Sequence, residues 1–327
     1  MKLLLIQTAF IGDVVLATAM IEKLKLFSKE MIVDIVVRRG NEGLLVNHPH
    51  INHCYVFDKK EKFKSLFGLL KIIRSQKYDY VVNAQRFFTT GVITAFSRGG
   101  IKIGFDKNPL SFLFDVVVKH EIGTNRSKHE IERNHLLIAS ITDSEPSKPK
   151  LYPSKSHYQN VAYYKIKPFI CIAPTSVWYT KQSPKQKWIE FLDQLEESLQ
   201  VYLLGAPSDV QACDDIIKGT KHKEILNLSG KLDLLSSAAL MKDSKMNFVN
   251  DSAPMHLASA MNAPVCAVFC STVPSFGFGP LSDRSYVIEE QLGLDCRPCG
   301  LHGHSSCPKG HFDCGYSVDV KKMLEIC

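Results

Sequence analysis

Short, continuous apolar runs alternate along the first half of the chain with longer segments whose apolar residues recur every three or four positions. Continuous runs are typical of strands buried on both faces of a parallel sheet, and the longer segments are typical of the helices that cover it. The predicted strands span 2–6, 32–37, 54–57, 78–83 and 101–105. The predicted helices span 14–27, 62–75, 87–96 and 125–141. This order predicts an α/β fold with a doubly wound parallel sheet.

A segment of different composition, residues 142–158, interrupts this alternation with three prolines and several serines and lysines. Such a composition is typical of a linker, so we predict two domains, 1–150 and 151–327. The alternation then restarts with strands at 169–173, 201–204, 225–228, 246–249 and 265–269. The helices of this half are predicted at 184–198, 208–218 and 234–241, with a further one near Pro254. Two α/β halves joined by a linker predict a cleft whose ligand site draws on loops of both halves.

The turn after the strand at 246–249 is the first candidate site. Asp251 and Ser252 offer oxygens that suit a helix N-cap, and Pro254 suits the first helical position, where its missing N–H costs nothing. In parallel sheets such turns lie at the carboxyl ends of strands, where ligands bind, and the N–H groups of a helix start suit a phosphate. An ordinary capped helix, with Asp251 and His256 as cap and core residues, explains the same pattern.

Polar residues follow the first strand of each half in a similar way. Asp13 lies just ahead of the first helix and is suited to take a proton from a hydroxyl, although a helix cap is the commoner role. Thr175, Ser176 and Lys181 occupy the matching place in the second half, where hydroxyls and a cation suit a diphosphate and a surface loop is the alternative. Asp209 opens a helix after the next strand, where an acid either holds ribose hydroxyls or favours the helix dipole.

Several function classes are disfavoured by the sequence. It has no G-x-G-x-x-G after the first strand, no Walker A motif and no G-x-S-x-G elbow. These absences argue against a dinucleotide dehydrogenase, a P-loop NTPase and an α/β hydrolase. The 327 residues are 45% hydrophobic and 22% charged, which fits a globular protein.

The net charge of +7 is unevenly distributed along the chain. Residues 1–150 hold 23 Lys and Arg against 15 Asp and Glu, whereas residues 151–327 hold 17 against 18. The basic residues are dense at 59–64 and continue to 77. A solvated helix face is the common explanation, but the asymmetry indicates an anionic partner, either a phosphorylated substrate or an anionic membrane surface. Nucleic acid is not expected, because no recognition motif for it is present.

The N-terminal apolar run is predicted to be a strand and not a signal peptide. Gln7, Gly12 and Asp13 interrupt it, and no small-residue cleavage site follows. No window of the sequence is long and uncharged enough to span a membrane. We therefore expect a cytoplasmic protein.

Four of the ten cysteines form a C-x2-C-x7-C-x6-C pattern near the end of the sequence, at Cys296, Cys299, Cys307 and Cys314. Three histidines are interleaved with them. A structural zinc site, a loop of packed thiols and a redox-labile disulfide all explain this pattern. We assign the pattern no role in catalysis and predict no metal in the active site.

Three separated segments carry a resemblance to a known family. They are "TAFIGDVVLATAMIEKLK", "GAPSD" and "NDSAPMHLASAMNAPVCAVF". Together they resemble the lipopolysaccharide heptosyltransferases of glycosyltransferase family 9, and "CRPCGLHGHSSCPKGHFDC" is similar to the Cys-rich end of some members. The resemblance implies a GT-B fold, in which two Rossmann-like domains face a central cleft and bind acceptor and nucleotide sugar respectively. It also implies inverting transfer of heptose from ADP-heptose to the lipopolysaccharide inner core, without a metal or other cofactor.

The resemblance also implies roles for individual residues. Asp13 matches the general base of the family, and Lys181 matches a phosphate-binding lysine that aids departure of ADP. The donor-binding positions are matched by Thr175, Ser176, Asp209, Leu232, Asp251, Ser252, Ala253 and His256. Of these, Thr175 and Ser176 match phosphate ligands, Asp209 a ribose ligand and Leu232 a neighbour of the adenine. Ala253 stands where many members have glycine.

The implied partners are a nucleotide-sugar donor and an anionic glycolipid acceptor, with peripheral contact at the inner face of the cytoplasmic membrane. Three alternatives remain on the same scaffold: a transferase that uses another donor, a sugar-nucleotide epimerase, and a non-catalytic glycan-binding protein. An epimerase would give the basic first half no purpose, and a binding protein would have no need of the Asp13 base.

Overall fold

The computed structural model describes residues 1–123 and 128–327, which form two compact units. Unit 1 contains Met1–Ile122 and Lys128–Tyr152, and unit 2 contains Pro153–Cys327. The boundary after Tyr152 falls within the proline-containing segment, two residues beyond the predicted position. Each unit is built on one six-stranded parallel sheet, as the continuous apolar runs predicted. The acceptor and donor roles assigned to the two domains stay predictions.

The strands of unit 1 are β1 (Lys2–Ile6), β2 (Ile32–Arg38), β3 (His53–Phe57), β4 (Tyr80–Asn83), β5 (Ile101–Phe105) and β6 (Val116–Val118). Its helices are α1 (Ile11–Phe27), α2 (Lys62–Ser75), α3 (Phe88–Phe96) and α4 (Glu130–His135). The sheet order is β3-β2-β1-β4-β5-β6, and every neighbouring pair is parallel. Residues 14–21 of α1 are all buried, whereas α2 buries only one side.

The helix predicted at 125–141 is the main departure in unit 1. Its first positions, 125–127, lie outside the described residues, and the helix itself covers only Glu130–His135. Beyond it the N–H of Leu137 bonds to the carbonyl of Asn134, and the N–H of Ile138 to that of His135. Such three-residue spacing is typical of tight turns, so the α-helix ends there.

The strands of unit 2 are β7 (Phe169–Ala173), β8 (Gln200–Leu203), β9 (Ile225–Asn227), β10 (Asn247–Asn250), β11 (Val265–Phe269) and β12 (Ser285–Glu289). Its helices are α5 (Lys155–Asn160), α6 (Lys185–Leu192), α7 (Val210–Gly219), α8 (Leu234–Lys242), α9 (Ala253–Ala260), α10 (Asp313–Tyr316) and α11 (Val320–Leu324). The sheet order is β12-β11-β10-β7-β8-β9. Helix α6 is six residues shorter at its end than predicted, because the N–H groups of Gln194 and Leu195 bond to carbonyls three residues earlier, as in a tight turn.

The core of unit 2 is built by aromatic and aliphatic side chains on both faces of its sheet. Trp188 and Phe191 of α6 are fully buried, and the Phe191 ring packs 4.6 Å from that of Phe248 in β10. Burial of such a side chain contributes about 1.5–3 kcal/mol. This packing fixes α6 and β10 against each other, and with them the loops that precede α6 and follow β10.

Both sheets have the same topology, in which strand order reverses between the first and the fourth strand of the unit. The switch lies between β1 and β4 in unit 1 and between β7 and β10 in unit 2. Ligands of doubly wound sheets bind at the carboxyl ends of the strands beside such a switch. The loops that carry Asp13, Lys181 and Asp251 therefore occupy the ligand-binding edge of their own sheets. None of the described helices has the length and apolar character needed to cross a membrane.

Candidate active site

Asp13 lies in the first turn of α1, immediately after the β1 loop. Its Oδ2 accepts a hydrogen bond from the N–H of Phe10 at 3.1 Å, so the side chain does cap the helix. Burial and the negative charge of Glu130 raise the pKa of Asp13 to about 6, although the Phe10 N–H and Arg38 act in the opposite direction. A carboxyl group of that pKa is ionised at neutral pH yet more basic than an ordinary aspartate, which suits a general base.

Glu130, whose negative charge raises the pKa of Asp13, is itself held in place by Arg133 and His120. Glu130 accepts from Arg133 Nε at 2.7 Å, and His120 Nε2 lies 3.5 Å from the same carboxylate. Burial alone would raise the pKa of Glu130, but His120 and Arg133 outweigh it and hold that pKa below the usual value. Glu130 therefore stays ionised, and its negative charge is available to make Asp13 a better base.

Two further basic residues lie at this edge: Arg38, which the sequence analysis did not single out, and Lys59, which belongs to the basic run at 59–64. The guanidinium of Arg38, the last residue of β2, stands 4.8 Å from the centre of the Phe10 ring. Burial and Arg38 lower the pKa of Lys59, and the charge of Asp13 raises it. Asp13 was selected as a polar residue that follows the carboxyl end of a strand. The same criterion would have selected Arg38.

The candidate donor residues of unit 2 form two groups. In the first group, Lys181 Nζ lies 2.6 Å from Asp251 Oδ2, and the Thr272 hydroxyl donates to that oxygen at 2.6 Å. Asp251 is only 6% exposed. Lys181 ends a short 3-10 helix, Tyr179–Lys181, in the loop after β7. The loops after β7, β10 and β11 thus bring one half-buried cation, one buried carboxylate and one hydroxyl together.

The expected capping of α9 is wrong in its detail. Ser252 is the N-cap residue, but its hydroxyl donates to the Asn250 carbonyl at 3.3 Å and makes no side-chain cap bond. Asp251 does not cap either, because its carboxylate accepts from Lys181 and Thr272. Ala253 is the first residue of α9, so Pro254 occupies the second position.

His256 lies one turn into α9 and is buried. Asn250, which the sequence analysis missed, accepts from the Ser183 N–H at 2.9 Å and joins the β10 loop to the β7 loop. Asn250 could have been found in the sequence as a polar residue at the end of a buried strand. The N-cap residue of α6 is Pro184, directly after this contact.

Asp209 and Leu232 belong to the second group, on the loops after β8 and β9. The Asp209 carboxylate accepts from the Ala206 N–H at 2.7 Å. The two loops touch, since the N–H of Gly230 donates to the Gly205 carbonyl at 2.9 Å. Leu232 is half-buried just before α8. Thr175 and Ser176 directly follow β7, both half-buried.

The Cys-rich tail supports the first group. The Arg297 guanidinium donates to the carbonyls of Phe269, Cys270 and Thr272 and pairs with Glu289 at 2.6 Å. The His304 N–H donates to the Thr180 hydroxyl at 2.8 Å, and Gly303 lies so close to Lys181 that a Cβ there would approach its Cγ to 2.8 Å. The tail therefore holds the two segments that carry Thr272 and Lys181.

The four cysteines of the tail are all unbonded. Burial raises the pKa of Cys314 to about 12, and the thiols of Cys299, Cys307 and Cys296 add to that shift, so the four sulfurs lie near one another. Within residues 1–123 and 128–327, however, no three His, Cys, Asp or Glu side chains form a group that could hold a metal ion.

Comparison with known proteins identifies the family. The family model described as glycosyltransferase family 9 (heptosyltransferase) matches residues 66–303. Lipopolysaccharide heptosyltransferase 3 of Escherichia coli is 24% identical over 277 residues, covering 80% of this chain and 82% of the relative. Lipopolysaccharide heptosyltransferase 2 of Salmonella typhimurium is 23% identical and covers 88% of each chain.

Solved structures share the fold. The structure of E. coli ADP-heptose lipopolysaccharide heptosyltransferase II aligns with a TM-score of 0.76 at 22% identity, covering 91% of this chain and 96% of that one. E. coli heptosyltransferase WaaC with ADP aligns with a TM-score of 0.72 at 18% identity, covering 88% and 92%. The family match spans more than half of the sequence, and the resemblance seen in its motifs is thereby confirmed: this chain belongs to glycosyltransferase family 9, the heptosyltransferases, and is a glycosyltransferase.

Proposed function

We propose that this protein transfers heptose from ADP-heptose to the inner core of lipopolysaccharide, with inversion at the anomeric carbon. The observation that carries the proposal is the group formed by Lys181, Asp251 and Thr272 beside the start of α9. A half-buried cation next to a helix N-terminus is suited to a diphosphate. The relatives named lipopolysaccharide heptosyltransferases, and a solved relative that holds ADP, supply the donor and acceptor classes.

In this proposal the diphosphate of the donor binds at Lys181. The ammonium group would exchange part of its contact with Asp251 for phosphate oxygens, and the first turn of α9 would add backbone N–H groups at Ser252 and Ala253. Thr175 and Ser176 would donate hydroxyl hydrogen bonds to the same phosphates. These groups supply the positive charge that departing ADP requires, so we propose no metal or other cofactor for the reaction.

The nucleoside would extend toward the second group. Asp209 would accept hydrogen bonds from the ribose hydroxyls, and Leu232 would pack against the adenine. His256, one turn into α9, would support the phosphate end of the site. Because the loops after β8 and β9 touch each other, the ribose and adenine contacts come from one continuous edge of the sheet.

Asp13 would take the proton of the acceptor hydroxyl. The freed oxygen forms a bond to the anomeric carbon on the face opposite the diphosphate, the bond to the phosphate oxygen breaks, and ADP leaves with the electron pair. Asp13 and Lys181 must then serve one pair of substrates, so the proposal includes the GT-B arrangement in which the two domains face a central cleft.

The acceptor would be an anionic glycolipid. The excess of basic residues in the first half, including Arg38 and Lys59 near Asp13, suits the phosphorylated inner core. A lipid-anchored acceptor lies in a membrane, so the proposal places the protein in the cytoplasm with peripheral contact at the inner face of the cytoplasmic membrane.

The test is calorimetric titration with ADP, UDP and GDP in the presence of EDTA. We expect selective ADP binding, and Lys181→Met should weaken it about 10- to 100-fold, the usual value of a charged hydrogen bond. Lys218→Met, on an exposed position of α7, is the matched control and should bind ADP like the wild type. Selective binding of UDP or GDP would contradict the heptose donor, and binding of none would contradict the donor site.

A second measurement separates binding from chemistry. Asp13→Asn should bind ADP normally and transfer no heptose to a core acceptor, as judged by the mass of the product. Turnover of Asp13→Asn near the wild-type rate would contradict the assignment of the base.

A further inference from the structure

Helix α2 presents an unusual exposed side. Its 14 residues contain four cations and no acid. Phe63 and Phe67, one turn apart, are 71% and 68% exposed. At 100° per residue they share an arc of about 100° with Lys64, Lys71 and Arg74. The opposite side carries the buried residues of the helix, and this arc of aromatic and basic residues faces solvent. Of its cations, Lys64 pairs with Glu61 just before the helix, with Nζ 3.2 Å from Oε2.

A second pair of exposed aromatic residues adjoins this arc. Phe87 and Phe88, at the start of α3, are both exposed, and α3 packs beside α2. Lys59, just before α2, places its Nζ 5.9 Å from the centre of the Phe87 ring. The aromatic patch therefore consists of Phe63, Phe67, Phe87 and Phe88, and basic side chains surround it.

The position of the patch follows from the topology of the sheet. β3 and β4 are parallel strands of one sheet, and α2 and α3 both begin after the carboxyl end of a strand. Right-handed crossovers place both helices on the same face, because each leads to a strand farther along in the same direction. The starts of both helices, with Phe63 and Phe87, thus lie at the edge of the sheet that carries Asp13.

Exposed aromatic rings flanked by cations are suited to the interface of an anionic bilayer. The rings enter the boundary between headgroups and acyl chains, while lysine and arginine side chains extend to the phosphates. Contiguous exposed apolar groups of this kind mark interaction sites in globular proteins. Helix α2 carries four cations, and the one acid beside them is Glu61, just before its first residue. This excess of positive charge complements a uniformly negative surface, which a phospholipid bilayer supplies.

We propose that the aromatic patch and its cations, Lys64, Lys71 and Arg74, dock unit 1 on an anionic phospholipid bilayer. The inference deepens the proposed function, since it names the surface through which a lipid-anchored acceptor would reach Asp13. Docking through this edge brings the base toward the membrane face, where the sugar core of a glycolipid emerges.

The test is sedimentation of the full-length protein with vesicles, without donor or acceptor. Wild-type protein should bind phosphatidylglycerol vesicles and bind phosphatidylcholine vesicles weakly, and added salt should weaken the binding. Phe63→Ser with Phe67→Ser should lower the partition coefficient at least about tenfold. Lys64→Glu with Lys71→Glu should lower it at low salt by roughly fivefold or more for each cation removed.

Matched controls lie in unit 2. Tyr163→Ser removes an exposed aromatic ring, and Lys221→Glu with Lys223→Glu reverses two exposed charges. Both control proteins should sediment like the wild type. Equal sedimentation of the wild type and the Phe63, Phe67 variant would overturn the proposal. So would a wild-type dimer that this variant dissociates in light scattering, since a second copy would then cover the patch.

The same proteins separate this inference from the proposed function. On a lipid-free core oligosaccharide the Phe63→Ser, Phe67→Ser variant should turn over like the wild type, and on acceptor embedded in vesicles it should be slower by about the loss in partitioning. If no protein transferred heptose to either acceptor while vesicle binding behaved as expected, the proposed function would fail and the docking surface would stand.

Discussion

Replacement of Asp13 by asparagine should make the protein more stable at neutral pH while it abolishes turnover. Burial and Glu130 raise the pKa of Asp13 from 3.8 to about 6, a shift of about two units. Each unit corresponds to about 1.4 kcal/mol, so the ionised carboxylate costs unit 1 about 3 kcal/mol. Asparagine carries no charge, and its side-chain oxygen can still accept the Phe10 N–H.

The direction of the pKa shift determines the pH range over which the stability changes. Between about pH 4 and pH 6 the folded protein keeps a proton on Asp13 that the unfolded chain has lost, so the stability of the wild type falls as pH rises. Above about pH 6 the ionised Asp13 lowers the stability of the wild type by its full amount, and below about pH 4 it does not lower it. The gain from Asp13→Asn should therefore be about 3 kcal/mol at pH 7.5 and close to zero at pH 3.5.

The assay must report on unit 1, and both tryptophans, Trp178 and Trp188, lie in unit 2. We would measure urea unfolding at several pH values by hydrogen exchange and mass spectrometry of peptides from unit 1. In parallel, the wild-type kcat/KM should fall about tenfold per pH unit below about pH 6, as the base becomes protonated. A gain in stability that is the same at every pH would refute the reasoning, and so would destabilisation at pH 7.5.

Asp58→Asn is the matched control in the same unit. The Lys60 N–H and the Arg39 side chain lower the pKa of Asp58. A lowered pKa stabilises the fold above the unfolded value and loses that contribution as pH falls. The control should therefore be less stable than the wild type at pH 7.5, opposite to Asp13→Asn.

Three further predictions concern the supports of the two sites. Gly205→Ala should weaken ADP binding in calorimetry, because a Cβ there would lie 2.8 Å from the Asp209 Cβ and displace that side chain; unchanged affinity would contradict this. Arg297→Lys should lower the stability of unit 2 by about 1–3 kcal/mol in tryptophan-monitored urea unfolding, because one ammonium cannot satisfy four acceptors; an unchanged midpoint would argue against it. Asp34→Asn should destabilise unit 1 by about 2–4 kcal/mol in hydrogen exchange, because the buried carboxylate pairs with Lys2 and accepts from Tyr78.

The sequence was sufficient to predict the α/β class and ten of the strands, because continuous apolar runs mark strands buried on both faces. It missed β6 (Val116–Val118) and β12 (Ser285–Glu289), which lie at the edges of their sheets and are largely exposed. An edge strand has no need of a continuous apolar run, so its pattern does not stand out. The end of α6 was also missed, because its apolar pattern continues beyond Leu192 although the chain there forms a tight turn. The Asp193 carboxylate accepts from Thr220, 27 residues away, and local spacing does not reveal such a contact.

The candidate sites, like the fold, were predictable from the sequence only in part. Position after a strand was enough to place Asp13, Lys181 and Asp251 at the ligand edges of their sheets. The contacts between them were not predictable, since Asp251 pairs with Lys181, 70 residues earlier, and with Thr272, 21 residues later. Local spacing predicted a helix cap for Asp251, and the long-range ion pair took its place. The roles assigned to these residues in catalysis and donor binding stay predictions.

The contacts between the tail and the Lys181 loop have a consequence for the order in which the protein matures. The His304 N–H bonds to Thr180, 124 residues earlier in the chain. All six strands of the second sheet are made before Arg297 and His304 leave the ribosome, and domains commonly begin to fold during synthesis. A chain interrupted after β12 would hold a complete sheet, and its Lys181 loop would contact Asp251 and Ser271 but not His304. The full set of contacts around Lys181 is thus completed last, after the sheet beside it is already in place.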